Sequence, residues 1–154
     1  MDGKRACSFG DISTTSFFPA KPLGCYGDGG AVFTDNDDWA AMIRSYAVHG
    51  KSGNDKYNNI RLGLNSRLDT IQAAILLPKL AAFEKYEVAD VNQAADWYTE
   101  LLSDCDLTLP TVAEGFTSSW AQYTVQLPVG TDRDALQTAM KARGIPTMVY
   151  YPRP

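Results

Sequence analysis

The sequence contains little histidine and little cysteine: one histidine and three cysteines among 154 residues. An odd number of cysteines, Cys7, Cys25 and Cys105, does not form a disulfide framework, which favours a reducing, cytoplasmic setting. The spacing of these cysteines from one another and from His49 matches no zinc-binding pattern. The sequence therefore predicts neither a disulfide-stabilised protein nor a metal site.

Long hydrophobic runs and excess positive charge are also lacking. No stretch approaches the roughly 18 unbroken apolar residues of a membrane helix, and residues 1–7 lack the apolar segment of a signal peptide. The net charge is -4, whereas nucleic-acid-binding surfaces are basic. We therefore expect neither a membrane nor a nucleic acid as a partner. The composition is that of a globular protein with enough residues to bury a core.

Two short strands are predicted near the start of the chain. Residues 12–18 are β-branched and aromatic, and residues 31–34 are similar in character; both runs are typical of strands. Between them, the glycines of residues 27–30 permit positive φ angles. We expect a tight return there that lets the backbone approach a ligand.

A helix is predicted after the second strand, because apolar residues recur there at helical spacing. These residues are Trp39, Met42, Ile43, Tyr46 and Ala47. We expect Thr34 or Asp35 to cap the helix and Gly50 to end it. The polar residues 51–59 are typical of a loop.

A longer helix is predicted in the middle of the chain. Ser66 and Asp69 have the spacing of a capping box, and apolar positions continue at helical spacing to Leu102. Pro78 should kink this helix. Its length fits a connector between two domains.

The last third of the chain predicts a small α+β domain. Residues 123–127 alternate as a strand does, and residues 146–150 form a second strand pattern. Between them, Thr131 and Asp134 have the spacing of a capping box, and Gly144 is placed to end the helix that follows.

Lys21 has an unusual setting. It lies among aromatic residues, prolines and glycines in residues 16–31, which read SFFPAKPLGCYGDGGA. Apolar surroundings favour the neutral amine, and a neutral amine can attack a carbonyl, as a lysine that binds pyridoxal phosphate (PLP) must do. The alternative is a lysine whose stem packs on the surface while its ammonium group stays in water. Composition alone favours this alternative.

Two sequence blocks together resemble the DegT/StrS family of sugar aminotransferases. Residues 16–31 are similar to the family's lysine segment, and residues 63–74, GLNSRLDTIQAA, are similar to its GxNxRxDxxQAA motif. The blocks stand in the family's order and at about its spacing, and the similarity extends from Cys7 to Pro154. The resemblance implies an α/β chain that forms part of an aspartate-aminotransferase-like fold, PLP fold type I.

The resemblance also implies a domain division. Family members are more than twice as long as this chain, so we interpret the chain as a fragment. Residues 1–65 are expected to be the C-terminal part of the PLP-binding large domain, and residues 66–104 the long connecting helix. Residues 105–154 are expected to be part of the small α+β C-terminal domain.

Four residues receive roles from the resemblance. It implies that Lys21 binds PLP covalently, that Ser16 binds the PLP phosphate, and that Asn65 reaches the phosphate bound by a neighbouring subunit. Arg67 is expected to pair with a substrate carboxylate, since a cation at a helix N-terminus is unfavourable without a nearby anion. Without the resemblance, Ser16 is a strand serine bonded to backbone, Asn65 is a loop asparagine, and Arg67 is a solvated arginine.

His49 and Tyr151 are further candidates for the substrate pocket. His49 lies where the first helix is predicted to end, and histidines there more often cap a carbonyl. Tyr151 comes just before the substrate segment of the family, a stretch that usually carries a histidine.

The implied activity is transamination of a nucleotide-linked keto-sugar, with glutamate as amino donor, by a homodimer with shared active sites. Both blocks look most similar to members that aminate C3 of a UDP-3-keto-GlcNAc uronic acid for lipopolysaccharide O-antigen. Two alternatives stay open: a C4 keto-sugar aminotransferase of the same family, and a non-catalytic fragment. Dehydratases of the family carry histidine in place of Lys21, so Lys21 argues against that activity.

Overall fold

The structure, a computed structural model, describes residues 3–53, 55 and 57–153. The chain divides into two compact units. The first unit comprises Met1–Ala94 and Val112–Ala121, and the second comprises Ala95–Thr111 and Gln122–Pro154. None of the helices in the described part of the chain combines the length and apolar character that a membrane span requires.

Two strands of the first unit form an antiparallel pair. Strand β1 is Ser13–Ser16 and strand β2 is Gly30–Phe33. Ser13 lies opposite Phe33 and Ser16 lies opposite Gly30. Both predicted strands are confirmed, and a short 3-10 turn over Ala6–Ser8 precedes them.

Helix α1, Asp37–Ala47, follows β2 as predicted, but its cap is Asn36. The Asn36 side-chain oxygen accepts a hydrogen bond from the Trp39 N–H at 3.0 Å. The expectation of Thr34 or Asp35 as cap is wrong because Thr34 is used elsewhere: its hydroxyl donates to the Asp11 carbonyl at 2.8 Å.

The end of α1 agrees with the prediction. The Gly50 N–H donates to the Ser45 carbonyl at 2.8 Å, and His49 and Gly50 have φ angles of 66° and 77°. The chain therefore leaves the helix through two residues in the left-handed region, where glycine is the favoured residue.

A long helical segment is confirmed in the middle of the chain. It consists of α2, Thr70–Ala82, a π turn over Phe83–Glu87, and α3, Val88–Leu101. Pro78 lies inside α2 without ending it. The departure from α geometry comes at the π turn, where the Val88 N–H donates to the Phe83 carbonyl.

The predicted capping box of Ser66 and Asp69 is wrong. The helix begins only at Thr70, and Asp69 occupies the cap position without a capping side-chain hydrogen bond. Ser66 is held elsewhere, since its N–H donates to the Ala47 carbonyl at the end of α1 at 2.9 Å.

In the second unit, helix α4 is Arg133–Ala142 and its cap is Asp132, whose side chain accepts from the Ala135 N–H at 2.9 Å. The predicted box of Thr131 and Asp134 is therefore wrong. Asp134 instead pairs with the neighbouring Arg133 at 3.0 Å.

The predicted end of α4 at Gly144 is confirmed. Gly144 has a φ angle of 77°. Its N–H donates to the Lys141 carbonyl, and the Ile145 N–H donates to the Met140 carbonyl, both at 3.0 Å. This pair of bonds is the Schellman arrangement.

The two strands predicted for the second unit are not present as strands. Within residues 123–127, Gln126 makes an isolated bridge to Thr108, and residues 146–150 belong to no described strand. A strand exists only with a partner to pair with, and alternation of side chains does not supply that partner.

The chain buries very little apolar surface. Among the described residues, only Cys25 and Ala95 are buried hydrophobic residues. The expectation that a chain of this length buries a full core is therefore wrong, because most apolar side chains of its helices and strands lack a covering layer.

Candidate functional site

The loop between β1 and β2 carries Lys21, and its base is fixed. The Phe17 N–H donates to the Gly29 carbonyl and the Cys25 N–H donates to the Phe17 carbonyl, both at 2.8 Å. Cys25 is fully buried, and its thiol lies 3.1 Å from the carbonyl oxygens of Phe17 and Gly27. These contacts among Phe17, Cys25, Gly27 and Gly29 close the base of the loop, which we call its neck. Lys21 lies at the opposite end, the tip of the loop.

Gly24 is required by the shape of this loop. A Cβ at Gly24 would lie 2.6 Å from the Phe18 carbonyl oxygen and 2.9 Å from the Pro19 carbonyl oxygen. The Lys21 N–H donates to the same Phe18 carbonyl at 2.8 Å. A side chain at Gly24 would therefore push apart the turn that holds Lys21.

Lys21 itself is exposed, so the expectation of a lysine enclosed by apolar groups is wrong for this structure. The physical reason is the turn, which directs Lys21 to the tip of the loop. Residues 20–22 of the loop line an open cavity of about 260 Å³, together with residues of the π turn, of α3 and of the 119–121 segment. The principal lining residues are Ala20, Lys21, Pro22, Phe83, Glu87, Asp90, Val91 and Trp120.

No hydrogen bond or ion pair engages the Lys21 side chain within the described residues. The carboxylates of Glu87 and Asp90 share its cavity without pairing with it. The Lys21 amine is therefore available to a ligand.

Ser16 is the last residue of β1, immediately before the loop. Its hydroxyl oxygen accepts a hydrogen bond from the Phe18 N–H at 3.2 Å. Because the oxygen acts as acceptor there, the hydroxyl proton stays available for an anion.

The second sequence block runs antiparallel to the end of α1. Asn65 forms a bridge with Val48, and the His49 N–H donates to the Leu64 carbonyl at 2.9 Å. A Cβ at Gly63 would overlap the backbone nitrogen of Gly50. The sequence contains both glycines, but it does not indicate that the backbones of Gly50 and Gly63 pack against each other.

The structure brings Asn65 and Arg67 together. The Arg67 Nε donates to the Asn65 Oδ1 at 3.0 Å. A guanidinium has only donors, so the amide atom that it contacts must be the oxygen. The NH₂ group of Asn65 and the terminal N–H groups of Arg67 consequently remain available to anions.

The two sequence blocks contact each other through one side chain that sequence reasoning left without a role. The Tyr26 N–H, in the Lys21 loop, donates to the Gln72 Oε1 on α2 at 2.8 Å. By contrast, no hydrogen bond among the described residues joins Asn65 or Arg67 to Lys21 or Ser16.

The two remaining candidates lie apart in the chain. His49 is exposed beside the Asn65 segment. Tyr151 belongs to the second unit, where its ring packs edge-on against Tyr150 at 5.7 Å. It lines a cavity of about 480 Å³ beside α4.

The comparison with known families concerns the chain as a whole. Residues 1–154 match the DegT/DnrJ/EryC1/StrS aminotransferase family. The chain belongs to this family. The family assignment and the α/β fold type I architecture expected from the sequence are confirmed.

Two curated relatives give the level of similarity. The UDP-2-acetamido-2-deoxy-3-oxo-D-glucuronate aminotransferase of Pseudomonas aeruginosa is 48% identical over 152 residues, covering 99% of this chain and 41% of the relative. A UDP-N-acetyl-3-dehydro-alpha-D-glucosamine 3-aminotransferase of Acidithiobacillus ferrooxidans is 41% identical over 157 residues, covering 100% and 40%. The chain thus spans about two fifths of the length of these relatives.

A solved structure supports the same conclusion. The structure of ntda from Bacillus subtilis, which has the cofactor PMP bound, superimposes with a TM-score of 0.74 at 31% identity. The match covers 96% of this chain and 34% of that one.

Proposed function

We propose that this chain is the Lys21-bearing part of a longer PLP-dependent aminotransferase that acts on a nucleotide-linked keto-sugar, with glutamate as amino donor. The observation that carries the proposal is the exposed, unpaired Lys21 amine at the tip of a loop with a fixed neck, in a chain of this family. We also propose the predicted division into large domain, connecting helix and small domain, and a cytoplasmic location. The three free cysteines support that location.

The side chains present fit PLP. When bound, PLP supplies an aldehyde that condenses with amines and a ring that takes up electrons. The fit is chemical: Lys21 offers an unpaired primary amine for the aldehyde, and Ser16 offers a hydroxyl proton for the phosphate at the base of the same loop.

Each residue then has a defined task. The Lys21 Nζ holds the cofactor between turnovers, and the same nitrogen accepts and returns the proton at the carbon that carries the amino group. Ser16 donates a hydrogen bond to the phosphate, and the NH₂ group of Asn65 donates one to the phosphate bound by the neighbouring subunit. The loop neck at Cys25 keeps the amine in place during both half-reactions.

Arg67 supports a uronic acid as the sugar substrate. Its terminal N–H groups have no partner among the described residues while its Nε holds Asn65, so the edge of the guanidinium that carries them remains available for a carboxylate. The identity of 48% to the glucuronate aminotransferase points the same way. We therefore propose a UDP-3-keto-GlcNAc uronic acid as substrate and surface polysaccharide or O-antigen synthesis as the setting. A C4 keto-sugar is the alternative.

A homodimer with shared sites is proposed for the complete enzyme. One face of α2 carries exposed apolar side chains, with Ile71 and Leu77 at 73% and 72% exposure. Burying such a face against a second copy is favourable. Asn65 lies just before this helix, so dimerisation through α2 would place it near the neighbouring subunit's site. His49 and Tyr151 remain proposed substrate contacts.

The proposal is tested by Lys21→Ala in the complete enzyme, with the α4 surface variant Lys141→Ala as control. Loss of Lys21 should lower transamination by at least about a thousandfold, whereas the control should match the wild type. An active Lys21→Ala enzyme contradicts the proposal. We also expect the 154-residue chain alone, mixed with PLP, to be inactive, so only the complete enzyme distinguishes this proposal from the alternative of a non-catalytic fragment.

A further inference from the structure

Gln72 is the residue through which the second sequence block contacts the Lys21 loop. Its Oε1 accepts the Tyr26 N–H at 2.8 Å, across 46 positions of sequence. Tyr26 directly follows the buried Cys25, so this bond fixes the outgoing limb of the loop. Gln72 lies in the first turn of α2, a regular helix that supports it.

Packing around this bond is close. A Cβ at Gly27 would lie 3.1 Å from the Gln72 Nε2, and a Cβ at Gly29 would lie 3.0 Å from the Leu68 Cδ1. These two glycines therefore permit close approach to the start of α2. Neither has the positive φ angle expected from the sequence, so that expectation is wrong. Sequence composition alone did not reveal which element they approach.

A second side chain of α2 acts on the same loop residue. The Lys79 Nζ lies 5.5 Å from the centroid of the Tyr26 ring, in the range of a cation–π contact. Gln72 and Lys79 are seven residues apart and so lie on one face of the helix. Backbone and ring of Tyr26 are thus both held by α2.

We infer that Gln72 is a positioning residue for Lys21. The neck of the loop has one anchor on the strand side, the bonds between Phe17 and Cys25, and a second on the helix side, the bond from Tyr26 to Gln72. Loss of the second anchor frees the outgoing limb and with it the direction of the Lys21 amine. This inference rests on the proposed function, in which Lys21 binds PLP.

The test compares three variants of the complete enzyme. Gln72→Glu keeps the acceptor oxygen, Gln72→Met keeps the length without it, and Gln93→Met on the exposed surface of α3 is the control. Three quantities are measured: hydrogen exchange at the Tyr26 amide, the dissociation constant for PLP, and the pH midpoint of the absorbance change of lysine-bound PLP.

Gln72→Met should speed exchange at the Tyr26 amide and weaken PLP binding, each by about tenfold, the effect of one hydrogen bond. It should also shift the pH midpoint, because the lysine-bound cofactor changes its surroundings. Gln72→Glu should restore wild-type values, and Gln93→Met should leave all three unchanged. Should Gln72→Met fail to fold, Lys79→Met carries the test, with an expected loss of PLP affinity of about two- to fivefold.

The inference is overturned if the Tyr26 amide loses protection while PLP affinity and the pH midpoint stay at wild-type values. If Gln72→Met fails to fold and Lys79→Met is used in its place, wild-type PLP affinity of the Lys79→Met enzyme overturns the inference. A wild-type enzyme that takes up no PLP at Lys21 overturns the proposed function and the inference with it. PLP bound at Lys21 together with an unaltered Gln72→Met enzyme overturns the inference alone.

Discussion

At the scale of single residues, the site depends on side chains that are left free by the groups around them. Lys21 has no partner within the described residues, and Ser16 uses its oxygen but not its proton. Asn65 uses its oxygen on Arg67 and keeps its NH₂ group. Ser16 and Asn65 are each oriented by a neighbour, and all three functional groups have unused capacity for a ligand.

The substrate carboxylate is tested at Arg67. Loss of a charge-assisted hydrogen bond costs about 1.5–3 kcal/mol, so Arg67→Ala should lower turnover of a UDP-keto-uronate by roughly one to two decades. Turnover of the matching neutral keto-sugar should change much less. Steady-state rates with both sugars measure the difference, and the exposed α1 variant Arg44→Ala is the control.

The PLP dissociation constant is measured alongside, because Arg67 also orients Asn65. An Arg67→Ala enzyme that loses the acidic and the neutral sugar equally would contradict a carboxylate role. The uronic acid assignment would then be withdrawn.

The sequence indicates which of these residues carry the chemistry, but it does not indicate their exposure or their contacts in the fold. The two blocks identify Lys21, Ser16, Asn65 and Arg67 because their order and spacing are linear properties. The exposure of Lys21 and the bond from Tyr26 to Gln72 depend on how the loop folds back on a helix 46 positions away. No local pattern encodes such a contact.

At the scale of elements, helix ends marked by glycine were predictable and helix starts were not. Gly50 and Gly144 end their helices because a left-handed residue is needed there. The predicted starts at Thr34 and Ser66 failed because both residues were already engaged, with Asp11 and Ala47. Several residues can cap a helix, and tertiary contacts select one.

The observed cap of α1 gives a direct test. Asn36→Ala removes the acceptor for the Trp39 N–H, and loss of such a cap costs about 0.5–2 kcal/mol. Hydrogen exchange at the Trp39 amide should accelerate by about two- to thirtyfold. Asp35→Ala, the change at a position expected from sequence to be the cap, should leave exchange unaltered. The opposite ranking of the two variants would contradict the observed capping.

At the scale of the whole molecule, few apolar side chains are buried. Among the described residues, only Cys25 and Ala95 are buried hydrophobic residues. A chain with so few buried apolar residues is expected to associate when isolated. This agrees with the proposal that further chain and a second copy complete the structure.

The shared-site dimer is tested by mixing two inactive variants of the complete enzyme, Lys21→Ala and Asn65→Ala. Random exchange makes half of the dimers hybrids, and one site in each hybrid retains both residues. About a quarter of the wild-type activity should therefore return. Hybrids that form but stay inactive would show that Asn65 serves its own subunit's site.

The central claim is that Lys21 is the residue that binds PLP. The complete enzyme is incubated with PLP, reduced with borohydride and digested, and the modified peptide is identified by mass spectrometry. The account predicts one modified residue, Lys21, and no modification when glutamate in excess has first displaced the lysine. Modification of another lysine in its place, or of none, would contradict it.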